Sequence, residues 1–220
     1  LTAVDGLTFS VDRDEVVGLI GPNGSGKTTT FNLVTGFLSP DGGTVLFDET
    51  DITEQPPYKV AKHGLGRTFQ ITKPFGRMTV YENMLVPNTD RGTYSEEQES
   101  EIWSILEELD LDHVADQDAS ELSGGQERLL EIARVLMLDP QMVFLDEPAA
   151  GVNPALMDDI VDRIKSLNRR GTAFLVIEHD MAVVDDLCDR IVVMADGTRI
   201  ADGSFDEIQA DDQVQEAYLG

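Results

Sequence analysis

Cysteine is almost missing from this 220-residue sequence, where Cys188 stands alone. A single thiol excludes an internal disulfide and a cysteine-rich metal site. It lies in an apolar-periodic stretch and reads as a small core residue. Tryptophan is equally scarce: Trp103 reads as core rather than as a platform for a ligand. Of the three histidines, His63 and His113 sit in polar, helix-like settings, and no two share a metal-ligand spacing. No apolar run approaches the roughly 18 residues a membrane-spanning helix needs. No signal peptide is expected, so the reading places the protein in the cytoplasm, with any membrane attachment made through a partner.

Positive charge is the other shortage. The only lysines are Lys27, Lys59, Lys62, Lys73 and Lys165, and the formal net charge is -26. Such a surface repels nucleic acid and anionic lipid, which excludes both as direct partners. The acids run along the whole chain rather than forming a tail. An acid-rich, lysine-poor surface suits molar salt, where self-repulsion is screened.

What is present reads as one globular unit: 41% of residues are hydrophobic, in a chain long enough to bury a core. Leu7, Phe9 and Val11 alternate like a half-buried strand, and Asp12 to Glu15 form a turn. Val16 to Ile20 is apolar throughout, a central strand. A helix follows Lys27 and ends near Gly36, and Thr44 to Phe47 is another strand. Pro56-Pro57 opens a helix that Gly64 ends, and Gly66 to Gln70 is a short strand. Thr79 and Glu82 make a capping box for a short helix, residues 87–96 are a polar loop, and Glu97 to Leu111 is amphipathic. A helix from Glu127 to Leu138 precedes the buried strand Met142 to Asp146. A helix (Pro154 to Leu167), a strand (Thr172 to Ile177) and a helix (Met181 to Cys188) follow. Ile191 to Met194 and Arg199 to Ala201 flank a turn, and a short helix closes the chain. Strands alternating with helices predict an α/β fold with a mostly parallel sheet covered on both faces.

The chemistry centres on Gly21-Pro22-Asn23-Gly24-Ser25-Gly26-Lys27-Thr28-Thr29, between the central strand and a helix. This fits G-x-x-x-x-G-K-[ST] in full. Its glycines let backbone N–H groups close on a phosphate, and the helix N-terminus adds positive potential. Lys27 can reach the outer phosphates, and Thr28 can place a hydroxyl on Mg²⁺. The pattern predicts binding of a nucleoside triphosphate.

Three further sites bear on that ligand. Asp146 ends an apolar strand, where it can hold Mg²⁺, and Glu147 can orient or deprotonate an attacking water. His179 follows another buried strand and can hydrogen-bond the terminal phosphate. Ser123-Gly124-Gly125-Gln126 opens a helix with a hydroxyl and two glycines, a second anion site. One triphosphate needs one phosphate loop, so this second site implies a second ligand or a partner copy sharing the first.

Taken together, the loop Gly21 to Thr28, Gln70, Leu122-Ser123-Gly124-Gly125-Gln126, the strand ending at Asp146, Glu147 and His179 resemble the ATP-binding subunits of ABC transporters over essentially the entire chain. The resemblance implies a RecA-like nucleotide-binding core with an antiparallel β subdomain (1–70 and 125–220) and a helical insert (71–124). It implies ATP and Mg²⁺ as cofactors, with Gln70 sensing the metal and the γ-phosphate. Two cassettes would pair head to tail, so that Ser123 and Gly125 touch the ATP held by the partner's phosphate loop. Transmembrane permease subunits would anchor the pair to the cytoplasmic face of the membrane, and an extracellular solute-binding protein would act through them.

Gly66-Arg67-Thr68-Phe69-Gln70, Thr79-Val80-Tyr81-Glu82-Asn83, Glu147 to Pro154, Ile177-Glu178-His179-Asp180-Met181 and the ending Glu216-Ala217-Tyr218-Leu219-Gly220 are similar to branched-chain amino acid importer cassettes of the LivG type. Urea or short-amide importers and a lipid-type exporter are the neighbouring alternatives. Non-transport ABC ATPases fit less well, since the insert is too short for a coiled coil. The resemblance also places the family's adenine-stacking aromatic ahead of Leu1. Asp14 stands where the family commonly has glycine.

Overall fold

Residues Val16–Ile20 (β1) are buried on both faces and lie at the middle of a six-stranded sheet. A computed structural model describes residues 2–68, 74–87, 95–152 and 154–219. The other strands of this sheet are Leu65–Arg67 (β4), Met142–Asp146 (β5), Ala173–Ile177 (β6), Arg190–Ala195 (β7) and Thr198–Gly203 (β8), in the order β4-β5-β6-β1-β7-β8. Every pairing is parallel except β7 with β8. A separate antiparallel pair joins Leu46–Phe47 (β2) to Thr50–Asp51 (β3).

The register decides where the chemistry sits. Asp146 pairs with Ile177, and Ile177 with Leu19. The segments that follow β1, β5 and β6 therefore leave the sheet side by side at its carboxyl edge, where parallel sheets hold ligands.

Alternation splits the core between two faces. Val143, Leu145, Phe174 and Val176 face the helices Gly124–Leu136 (α5) and Pro154–Asn168 (α6). The same cluster takes Met84 from Val80–Leu85 (α3), and Ile102 and Leu106 from Glu96–Glu108 (α4). Leu19, Phe144, Leu175 and Ile177 point the other way, onto Phe31 of Lys27–Val34 (α1) and Val60 of Pro57–Lys62 (α2). Met181–Leu187 (α7), Phe205–Ala210 (α8) and Asp212–Leu219 (α9) complete the chain. Val184, Ile208 and Val214 of these three helices close a third cluster over Ile20 and Val193.

Four expectations change. No strand forms over residues 2–11: Leu7, Phe9 and Val11 are half-buried in alternation, packed on the second core face, without a ladder partner among the described residues. Alternation reports which side faces the core, whereas a strand also needs a neighbour in register. The strand expected over 44–47 keeps only two residues. The amphipathic helix stops at Glu108, because Asp110 takes a left-handed φ of 56°. Trp103 lies on the outer flank of α4, its ring tilted by 38° against Tyr81 with centroids 5.5 Å apart, while Ile102 and Leu106 take the core. The capping box of Thr79 and Glu82 is present, and Ser95–Gln98, Ser123–Gln126 and Ser204–Glu207 add three more. Asp14 has φ 62°, a backbone position that glycine favours and aspartate tolerates.

Arg190 fastens the sheet to its approaches. Its guanidinium donates to both Glu15 carboxylate oxygens (2.8 and 3.2 Å), to Asp202 Oδ1 (2.7 Å) and to Ser10 O (2.6 Å). Burial works against the Glu15 carboxylate, but the bonds from Arg190 and the Asp12 N–H hold its pKa below the usual range. That contribution is present above the ordinary glutamate pKa and is lost as pH falls through the lowered one. Arg190→Ala is expected to cost about 2 kcal/mol of unfolding free energy at neutral pH, and less in acid. Urea melts across that pH range read it.

Candidate nucleotide site

The phosphate loop is wrapped tightly by its surroundings. Gly21 has φ 148°, and a Cβ there would lie 2.1 Å from the Met194 carbonyl oxygen. Gly26 has φ 105° and would clash with Ala3 O at 2.5 Å. Only glycine meets both demands. The turn between β7 and β8 braces the loop, with Gly197 N–H donating to Ser25 O (3.1 Å). The Ser25 hydroxyl is buried without a hydrogen-bond partner among the described residues.

Lys27 is buried at the start of α1, and its ammonium donates to Gly21 O (2.7 Å) and Pro22 O (3.0 Å). Burial lowers its pKa, and the carboxylates of Glu147 and Asp146 pull the other way. Thr28 is exposed one residue further on.

Asp146 closes β5 with only 3% exposure. Burial raises its pKa, opposed by the Arg67 guanidinium 3.5 Å away. Arg67 also donates to Asn32 Oδ1 and Thr35 Oγ1 (both 2.8 Å), which ties Asp146 to α1. Glu147 leaves the strand in a left-handed conformation, φ 51°, costly for a side chain of this kind. The surroundings hold it there. Its N–H donates to Ile177 O (2.9 Å), its carbonyl accepts from Arg128 Nη2 (3.1 Å), and its Oε1 lies 3.0 Å from His179 Nε2.

Asn23, Gly24, Gly26 to Thr29, Glu147 and His179 line one cleft of about 220 Å³, which Asp146 adjoins through Glu147 without lining it. A larger depression of about 450 Å³ holds Asp51 and Glu54 on its walls, the wrong charge for a triphosphate. The oxygen donors of Thr28 and Asp146 suit a hard divalent cation such as Mg²⁺, and the narrow glycine loop fits a phosphate.

Ser123–Gln126 do not line this cleft among the described residues. Ser123 caps α5, its hydroxyl accepting from Gln126 N–H (3.3 Å) while Gln126 Oε1 accepts from Ser123 N–H (3.0 Å). A Cβ on Gly125 would lie 1.7 Å from Leu156 Cδ2, whereas one on Gly124 would make only an ordinary contact, 3.7 Å from Gly151 O. Gln70 lies outside the described residues.

Sequence reasoning missed Arg128 and Glu178. Arg128 follows the serine-glycine segment, is almost fully buried, and pairs with Glu131 at 2.7 Å while holding the Glu147 carbonyl. Glu178 directly precedes His179 and is 4% exposed. Polar or charged neighbours surround both (Gln126, Glu127 and Glu131; His179 and Asp180), so nothing local set either apart.

The phosphate loop, the strand-end acid and the helix cap occur in a chain whose residues 4–150 match the ABC transporter family model. The chain belongs to the ABC transporter family. A second model, for the branched-chain amino acid ATP-binding cassette transporter, matches residues 193–220 of the cassette. The cassette is similar to the probable branched-chain amino acid transport ATP-binding protein LivG of Archaeoglobus fulgidus: 41% identity, covering 100% of this chain and 90% of that one. It is 38% identical to the lipopolysaccharide export system ATP-binding protein LptB of Haemophilus influenzae, covering 99% and 90%. Among solved structures, a nucleotide-free ATP-binding cassette from an ABC transporter superposes with a TM-score of 0.91 at 40% identity, covering 99% and 93%. Membership makes the cassette an ATPase coupled to transport and implies ATP binding. No helix among its described residues is long and apolar enough to cross a membrane.

Proposed function

We propose that the cassette is the ATP-hydrolysing subunit of a branched-chain amino acid importer, held at the cytoplasmic face of the membrane by permease subunits. The observation that carries the catalytic part is the single cleft joining the glycine loop to Glu147 and His179. The match over residues 193–220 favours the importer reading over the lipid-export one.

In this reading the amides of Gly24 to Thr28 cradle the phosphates and Lys27 exchanges its loop carbonyls for phosphate oxygens. Thr28 and Asp146, with Gln70, would hold Mg²⁺, and the bound ion would supply neutralisation of phosphate charge. Glu147 takes a proton from the water that attacks the γ-phosphorus in line, as the bond to the bridging β-phosphate oxygen breaks and ADP leaves. His179, hydrogen-bonded to Glu147, steadies both the glutamate and the terminal phosphate. Ser123, Gly124, Gly125 and Gln126 are not among the described residues that line their own cleft, which suits a head-to-tail pair in which they complete the partner's site. The partner is a second copy or a sister cassette.

Partner capture tests the assignment. Complexes extracted in detergent and molar KCl are expected to hold multi-span permeases, a second cassette and, through them, a solute-binding protein. Recovery of soluble assembly factors or ribosomes without a membrane subunit would contradict it.

A further inference from the structure

Glu178 is a buried carboxylate with no assigned task, and it joins the two loops that carry the hydrolytic pair. Its Oε1 accepts from Ala149 N–H (2.7 Å), two residues beyond Glu147. Its Oε2 accepts from His179 N–H (2.7 Å) and Asp180 N–H (3.2 Å). The Glu147–His179 contact of 3.0 Å closes a ring that runs from Glu147 through Pro148 and Ala149 to Glu178 and back through His179.

We infer that Glu178 is a positioning residue that sets the separation of Glu147 and His179. An ionised carboxylate only accepts hydrogen bonds, and here it satisfies three donors from two segments at once. Glu147 needs such support because its left-handed backbone is unfavourable unless the surroundings fix it. The next segment, around Gly151, also lies against α5, since Gly151 O is 3.7 Å from where a Cβ on Gly124 would be. Glu178 therefore ties a loop that borders the serine-glycine cap to the histidine in the cleft. Small misplacements of a base and its orienting group cost large factors in rate, while ground-state binding at the glycine loop is untouched.

The inference rests on the ATPase reading, and Glu178→Gln separates the two. Glutamine keeps the shape but presents an NH₂ to at least one backbone N–H. Glu178→Asp keeps the charge but loses reach, and it carries the test if the glutamine variant folds poorly. Each is expected to lower kcat for ATP by about tenfold or more with KM within about twofold of the parent. Amide hydrogen exchange at Ala149, His179 and Asp180 is expected to speed up, with the phosphate-loop amides unchanged. Turnover within about twofold of the parent, or unchanged protection at those three amides, would overturn the inference. A parent chain without ATP turnover would instead overturn the ATPase reading, a failure visible before any variant is made.

Discussion

Glu147→Gln is expected to bind ATP with nearly parental affinity and to hydrolyse it about 10²–10⁴-fold more slowly. The substitution removes the group that takes the water proton and leaves the glycine loop, Lys27 and Asp146 in place. Glutamine can still accept from or donate to His179 Nε2, 3.0 Å away in the parent, so the cleft should keep its shape. The backbone bonds to Ile177 and Arg128 do not depend on the side chain. A nucleotide titration beside a phosphate-release assay makes the measurement. Parental turnover in this variant would remove Glu147 from its role.

The second large effect is on stability. The chain carries 42 acidic residues against 16 basic ones. Repulsion among them is weakly screened in dilute buffer and almost fully screened in molar salt, where the Debye length is about 3 Å. The ion pairs of the described residues offset only part of it, and several, such as Arg13–Asp48, are exposed and weak. Moving from about 0.1 M to about 3 M KCl is therefore expected to raise the melting temperature by roughly 10 °C or more, equivalent to about 3–5 kcal/mol. Equal melting temperatures at the two concentrations would show that charge repulsion does not govern this fold.

Much of this site was legible because its signals are local. The glycine loop must turn tightly beside a strand, and the positive φ values of Gly21, Gly24 and Gly26 are what the spacing demands. Asp146 could be read from the apolar run before it. The pairing of Glu147 with His179 was not local: 32 positions separate them in the chain, and the parallel register of β5 with β6 brings them together. Glu178 and Arg128 were invisible for a related reason. Each acts by bonding to backbone atoms of another segment, and backbone atoms leave no mark in a sequence. The N-terminal segment shows the opposite case, in which Leu7, Phe9 and Val11 disclose the buried side but not the missing partner strand. Trp103 misled because a position near the apolar face was read as core, whereas Ile102 and Leu106 fill that face and leave Trp103 at its exposed edge.

The most direct test of the cleft is a crystal structure of the cassette with Mg²⁺ and a non-hydrolysable ATP analogue. The account predicts the triphosphate along Gly21 to Thr28, the γ-phosphate between Lys27 Nζ and the Glu147–His179 pair, and the metal on Thr28 and Asp146. Nucleotide bound elsewhere, or a γ-phosphate beyond the reach of Glu147 and His179, would contradict it.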